Sequence, residues 1–415
     1  MMDEKTSWDW HTDLKEIPVK EWDNSFNWVQ SPIVSSDGER VAAIVNVDEM
    51  AFNICVNGLA WEGEEYEKIW CLSPVSDNGF AAFAARDEEW TVLVNGEPWS
   101  SRGDFIWDMM VSADGKLLAA AFQSDSEYGV IVNDVPWEDR YESMTGAVLA
   151  PDGSSAAVVQ VESMTAADVD AFKEGLFCVA HNGKSQDKRF LNIWDISFDS
   201  SGRHIGYGVR LDRENYTIVQ DDTTWDSRFQ SVWKPEFLDQ NILLAPVRLN
   251  GKWYLYKNDV PFWTTAYAQL WHLTVSPANE NVAAIVSTPF GHWTVAVNDK
   301  IWNLTCDTMV SDIHFSQDGS CLAAVYKHKG FWDLAVNQTP WQLSASQVFF
   351  PRLSPDGSIV AVVAEKKGQY QLVVNGKTLA SGFSFMADPV ISPDGSKVML
   401  KGIENGIYKR QIIGL

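Results

Sequence analysis

Seven histidines and five cysteines are the side chains of this 415-residue sequence best suited to hold a metal or act as nucleophiles. His11, His181, His204, His272, His292, His314 and His328 form no H-x-H or H-E-x-x-H pair, the spacings that bring two imidazoles to one metal. Cys55, Cys71, Cys178, Cys306 and Cys321 form no C-x-x-C, which argues against zinc, covalent haem and clustered thiolates. Four of them fall in strand-like segments and read as core thiols; Cys306 falls in a loop and is expected to be exposed. The sequence has no G-x-S-x-G nucleophile elbow, no phosphate-binding P-loop and no G-x-G-x-x-G. Catalysis is not expected, and neither is a cofactor or a metal. What stands out chemically is charge: 56 Asp and Glu against 32 Lys and Arg, a net charge of −24. Such a chain repels a phosphate backbone, so nucleic acid is excluded as a partner. No segment approaches the roughly 20 apolar residues of a membrane span. The start, Met1 to Lys5, lacks the basic tip and apolar run of a secretory signal, so a cytoplasmic protein is expected.

The second conspicuous feature is 20 tryptophans, and a repeat accounts for them. A strand-like run ends at Asn57, Asn95, Asn133, Asn182, Asp221, Asn258, Asn298, Asn337 and Asn375, spaced 37 to 40 residues apart save one step of 49. Five residues before each lies an aromatic: Phe52, Trp90, Tyr128, Phe177, Tyr216, Trp253, Trp293, Trp332 and Tyr370. A tenth copy has Tyr408 in that slot. Four residues after the Asn, tryptophan recurs at 61, 99, 137, 225, 302 and 341; another opens the preceding strand at 28, 70, 107, 194, 233 and 271. Ser-x-Asp-Gly turns, as at Asp37-Gly38 and Asp356-Gly357, separate the two.

Asn-Gly and Asp-Gly between β-rich segments mark tight hairpins, because their central residues accept positive φ. Each period therefore holds four short strands, and the second is a continuous apolar run such as Leu118-Ala119-Ala120-Ala121, buried on both faces. The spacing predicts an all-β fold: a β-propeller of ten four-stranded repeats. Residues 17–22 (Ile17 to Trp22) are expected to complete the last blade as its outer strand, giving a tail over 1–16 and one ring over 17–415. Two five-bladed rings are the alternative. The tryptophans serve as rigid fillers between blades.

The Ser-Pro-Asp-Gly turns and strand rhythm resemble WD40-like propeller repeats, without their regular Gly-His or terminal Trp-Asp. Within that class the acidic, tryptophan-rich chain resembles the soluble tryptophan-rich subunits of the transmembrane redox complexes of sulfate-reducing bacteria. That resemblance implies a non-catalytic scaffold subunit of a membrane-associated electron-transfer complex, docked at the inner face of the membrane on an iron–sulfur or cytochrome subunit without inserting into the bilayer. The alternatives are a protein- or peptide-binding propeller outside any redox complex, and an enzyme or metal-binding ring with its site in the central channel. His272 and His314 both fall in first strands, which line such a channel; a metal there is the alternative, but they read first as polar residues facing a water-filled tunnel.

In a propeller the loops joining second to third strands, and blade to blade, share one face. Early blades load that face with acid, including Glu62, Glu64, Glu65, Glu67, Asp87, Glu88 and Glu89, while later blades place Lys327, Lys329, Lys366 and Lys367 there. This is either a solvated surface or a sided field that orients a charged partner. An insertion at 163–175 reads as a short helix, whose Met164 and Phe172 cap the blade edge or meet a partner. Trp8 and Trp10 lie outside every repeat register and either pack on the tenth blade or anchor a neighbouring subunit.

Overall fold

The computed structural model describes residues 4–76, 78–161, 175–278 and 281–415. The small apolar runs become the second strands of ten antiparallel sheets, which span residues 28–60, 68–98, 105–136, 144–185, 192–224, 231–261, 269–301, 309–340, 347–383 and, for the last, 385–414 with 14–17. In blades 1, 6 and 9 the first strand is split in two, as in Trp28–Val29 followed by Ile33–Val34. Pro32, Pro235 and Pro351 sit in the breaks, where a missing N–H interrupts the ladder.

A second strand has side chains on both faces, and both are buried. Leu118, Ala120 and Phe122 pack toward blade 2, whereas Ala119 and Ala121 pack toward blade 4. The alternation recurs blade after blade. One apolar cluster lies at each of the ten junctions, that of blade 10 with blade 1 included, so the ten blades close a single ring.

The repeated polar residues hold the hairpins. Asn57 and its eight counterparts adopt φ between 44° and 53°. In each the side-chain Oδ1 also accepts the N–H of the first or second residue of the second strand, at 2.8–3.0 Å. Asn thus supplies a left-handed turn and a strand cap at once, and Asp221 does both in blade 5. The Ser-x-Asp-Gly turn is locked similarly: Ser392 Oγ donates to Asp394 Oδ1 at 2.6 Å, and the Lys397 N–H donates to Ser392 Oγ at 2.9 Å. These bonds, Ser392 Oγ foremost and then the Ser396 hydroxyl and N–H, bring the Asp394 carboxyl down to about 2. Asp114, Asp318 and Asp356 are lowered for the same reason, each chiefly by its turn serine.

The ring is closed by Leu14–Ile17, which pairs antiparallel with the last strand in the register Leu14↔Gln411 to Ile17↔Tyr408. This corrects the expected closing strand, 17–22. Pro18 has no N–H to extend the ladder, and Val19–Asn24 turns into a 3-10 helix. The helix delivers Trp22, buried, onto the next blade's hairpin, where a Cβ on Gly58 would lie 3.3 Å from its Nε1. Trp61, Trp137 and Trp341 cover Gly96, Gly183 and Gly376 in the same way, so the repeat register of Trp22 holds although its strand does not.

The seam between blades 10 and 1 adds a network of buried charged groups to its apolar cluster. Tyr408 donates to Gly38 O at 2.7 Å, and the fully buried Arg410 donates from Nε to Asp37 O at 3.0 Å and lies 3.2 Å from Glu39 Oε1. Lys15 on the closing strand meets Glu39 at 2.6 Å. Gly38, at φ 75°, is needed here, because a Cβ would come within 3.2 Å of Lys401, Tyr408 and Arg410 together.

Removing residues 1–17 uncovers the edge of the last strand. We expect a thermal midpoint lowered by several degrees and concentration-dependent association through the bare edge; an unchanged melt of a monomeric truncation would refute closure by this strand. The turn aspartates give a second expectation. Their folded pKa values lie below the unfolded value of 3.8, so their stabilisation is present above about pH 4 and is lost as pH falls toward about 2. Urea unfolding between pH 5 and 2 should show a steep loss in the wild type. The loss should be shallower in the triple variant Asp318→Asn, Asp356→Asn, Asp394→Asn; equal slopes would exclude the turns as its source.

Candidate functional site: the two mouths of the channel

First strands touch at most of the blade junctions and form the wall of the central channel. Toward the loop face, two of the sequence registers merge into one feature. The first-strand aromatic meets the third-strand aromatic of the same blade: Trp70 with Trp90 at 4.8 Å between centroids, Trp107 with Tyr128 at 6.0 Å, Trp194 with Tyr216 at 5.6 Å and Trp233 with Trp253 at 5.5 Å. The pair closes over the second strand, which is why that strand is so small; a Cβ on Gly208 would stand 3.1 Å from Trp194 Nε1. Trp28 and Trp70 remain 51% and 39% exposed, whereas Trp302, between blades 7 and 8, is 6% exposed.

Directly after the first-strand tryptophan the ladder slips, and Cys71, Asp108, Asp195 and His272 take left-handed φ values of 51–59°. Blade 4 has Gly146 at this point. Such bulges re-aim a side chain, and all five residues are exposed on the inner wall. The walls around Asp195 desolvate its carboxyl and push its pKa up. Of these only His272 was singled out in the sequence as a channel residue; Cys71, Asp108 and Asp195 share with it a first-strand tryptophan immediately before them, whereas Gly146 follows Thr145.

The bulges also unite the two channel histidines. Asp312 of blade 8 lies 3.1 Å from His272 Nε2 of blade 7 and 2.9 Å from His314 Nε2 of its own blade. Burial would raise the Asp312 carboxyl, but its contacts with His272 and His314 outweigh this and hold it well below the usual carboxylate range. His314 meets Phe350 at a tilt of 50° with ring centroids 3.7 Å apart, Arg352 covers Phe350 at 4.8 Å, and Arg352 Nη2 reaches Asp388 at 2.6 Å. One continuous chain of contacts therefore crosses blades 7 to 10. Among the described residues, no group of three or more His, Cys, Asp or Glu is placed to hold a metal ion.

Glu62, Glu64, Glu65, Glu67, Asp87, Glu88 and Glu89 are all exposed at the loop face of blades 1 and 2. Arg86 ties the two loops together, 2.8 Å from Glu64 and 3.5 Å from Asp87. The tail departs from the acidic face altogether. Trp10 is buried against Met399 and Ile412 of blade 10, with Trp8 half-buried beside it, so Trp10 packs on the ring and is not an available anchor. The insertion expected at 163–175, with Met164 and Phe172, lies outside the described residues up to Gly175. Two cysteine expectations reverse: Cys306 is buried and Cys71 exposed. Cys306 bridges Trp293, rejoining the outer strand to the third, a position filled by Tyr66, Tyr141 and Phe190 in other blades.

Fold and surfaces together define a ten-bladed β-propeller repeat protein with an acidic loop face and an aromatic-rimmed channel. No protein-family model matches the chain, and no curated protein matches it. Among solved structures, a eukaryotic initiation factor aligns at 10% identity and TM-score 0.48, over 80% of this chain and 93% of that one. The Dos1 propeller aligns at 11% identity and TM-score 0.36, over 96% and 95%. The β-propeller domain of Myceliophteria thermophila Cps50 (Swd1) aligns at 10% identity and TM-score 0.32, over 66% and 97%. Likenesses at this level carry no statement about partner or activity. No helix among the described residues is long and apolar enough to cross a membrane.

The burial pattern separates packing tryptophans from surface ones. Trp302→Ala should cost about 3–5 kcal/mol in urea unfolding, as removal of a buried Trp does. Trp28→Ala, at the exposed rim, should cost under about 1 kcal/mol. Comparable losses at both sites would contradict this division.

Proposed function

We propose that the chain is a non-catalytic scaffold that docks a protein partner on its loop face. The carrying observation is the cluster of seven exposed carboxylates on two adjoining blades, whose first strands also expose Trp28 and Trp70. Carboxylates at that density draw in a basic surface and orient it before contact, and exposed tryptophan then supplies contact area that loses little entropy. The redox setting, a cytoplasmic iron–sulfur or cytochrome subunit at the inner face of a membrane, rests on the resemblance in repeat type and composition; the docking face rests on geometry.

Tagged chain purified from its native cells identifies the partner, and kinetics with that partner test the face. Reversing Glu62, Glu64, Glu65 and Glu67 to Lys should slow association by about tenfold at low salt. At physiological salt, where exposed charges are screened over about 8 Å, the difference should shrink. Equal association rates at both salt concentrations would place the contact elsewhere. A partner that carries no redox centre would remove the electron-transfer assignment while leaving the docking face standing.

A further inference from the structure

The opposite mouth of the channel, on the Ser-x-Asp-Gly turn face, holds a cavity of about 910 Å3, within the range of small-molecule sites. Blades 1 to 3 and 8 to 10 line it, and the N-terminal tail contributes Lys5 and Trp8 to its wall. Its charge runs against the molecule's. Among the described residues that line it, Lys5, Lys116, Arg352 and Lys401 face Asp114 and Asp388, a surplus of two positive charges in a chain of net charge −24.

Its groups converge on one quadrant. Lys401, 6% exposed, spends one of its three donors on Ser36 O at 3.1 Å. Beside it Arg352 gives one NH2 to Asp388 and lies over the ring of Phe350, whose other neighbour is His314. Phe350 is itself exposed to the cavity, and Trp8 lies half-buried in its wall. A buried ammonium with free donors wants an anion, and an open aromatic ring flanked by polar groups wants a flat apolar one.

We infer that this cavity binds a small organic anion, its acid group between Lys401 and Arg352 and its apolar part against Phe350 and Trp8. The inference is independent of the loop-face partner. Burial brings the Lys401 ammonium down to about 8, opposed by Asp388 and Asp37 and reinforced by Arg352 and Arg410, the charged groups around it. A bound anion favours the protonated amine, so binding should weaken as pH rises past about 8.

Anilinonaphthalene sulfonate, an aromatic anion that fluoresces when removed from water, tests this on the full chain. We expect one dye per chain, bound at least about tenfold more tightly than uncharged phenylnaphthylamine. Lys401→Met should weaken it by about tenfold, the loss of one charge-assisted contact. Arg352→Gln, at an exposed position that leaves the ring folded, should also weaken it severalfold, and so keeps the test valid if Lys401→Met does not fold. Equal affinity for the charged and uncharged dyes, or Arg352→Gln binding as the wild type does, would overturn the proposal.

Discussion

The second strand of each blade is the constraint from which the rest follows. It is apolar on both faces, so it is satisfied only with a neighbour on each side, and a row of such sheets always leaves two faces bare. Closing the row into a ring removes both. The same requirement explains the residue sizes. Ala and Val fill the second strand because aromatic rings from the first and third strands meet over it, and larger side chains would part them.

Closure then needs one junction to be made by distant parts of the chain, and that junction adds buried charges to its apolar cluster. Arg410 and Lys401 are buried there against carbonyls of the blade 1 turn, with Glu39 and Lys15 completing the network. A buried charge tolerates only a surface offering its acceptors, so pairing with any other blade leaves Arg410 without Asp37 O and Glu39. The apolar clusters supply cohesion that any two blades could share, while the buried charges at this one junction specify which blades meet there. Its turn carries Gly38 for the same reason: three long side chains converge where a Cβ would stand.

What repeats in the sequence was legible, and what happens once was not. The Asn register announced the hairpin in nine blades, but not the strand cap that the same side chain makes there. The tryptophan registers announced the junctions. The closing strand was displaced by Pro18, a single residue whose effect depends on a partner strand some 390 residues away in the chain. A fourth register, the bridge at Tyr66, Tyr141, Phe190, Phe229 and Tyr267, was hidden because Gly103, Cys306 and Ala345 occupy it elsewhere. Cys306 was misplaced for that reason. Asp312 carried no signal at all: its meaning lies in two histidines from adjoining blades, joined only by the ring.

The parts of the molecule open to function are the parts the repeat does not use. Strand ladders, turn carboxylates and interblade rings are committed to closure, and altering them alters the fold. Left over are the bulge residues of the inner strands, the tips of the loops and the tail. These positions hold the acidic face, the Asp312 bridge and two walls of the cavity. Carboxylates crowd the loop-face rim of blades 1 and 2, whereas the described lining of the cavity at the other mouth carries more ammonium and guanidinium groups than carboxylates. Ten packed junctions form the frame that holds the two mouths apart, and Lys401 belongs both to that frame and to the cavity. A ring of this kind presents separate surfaces to separate ligands, and the rigidity that closes it also keeps them apart.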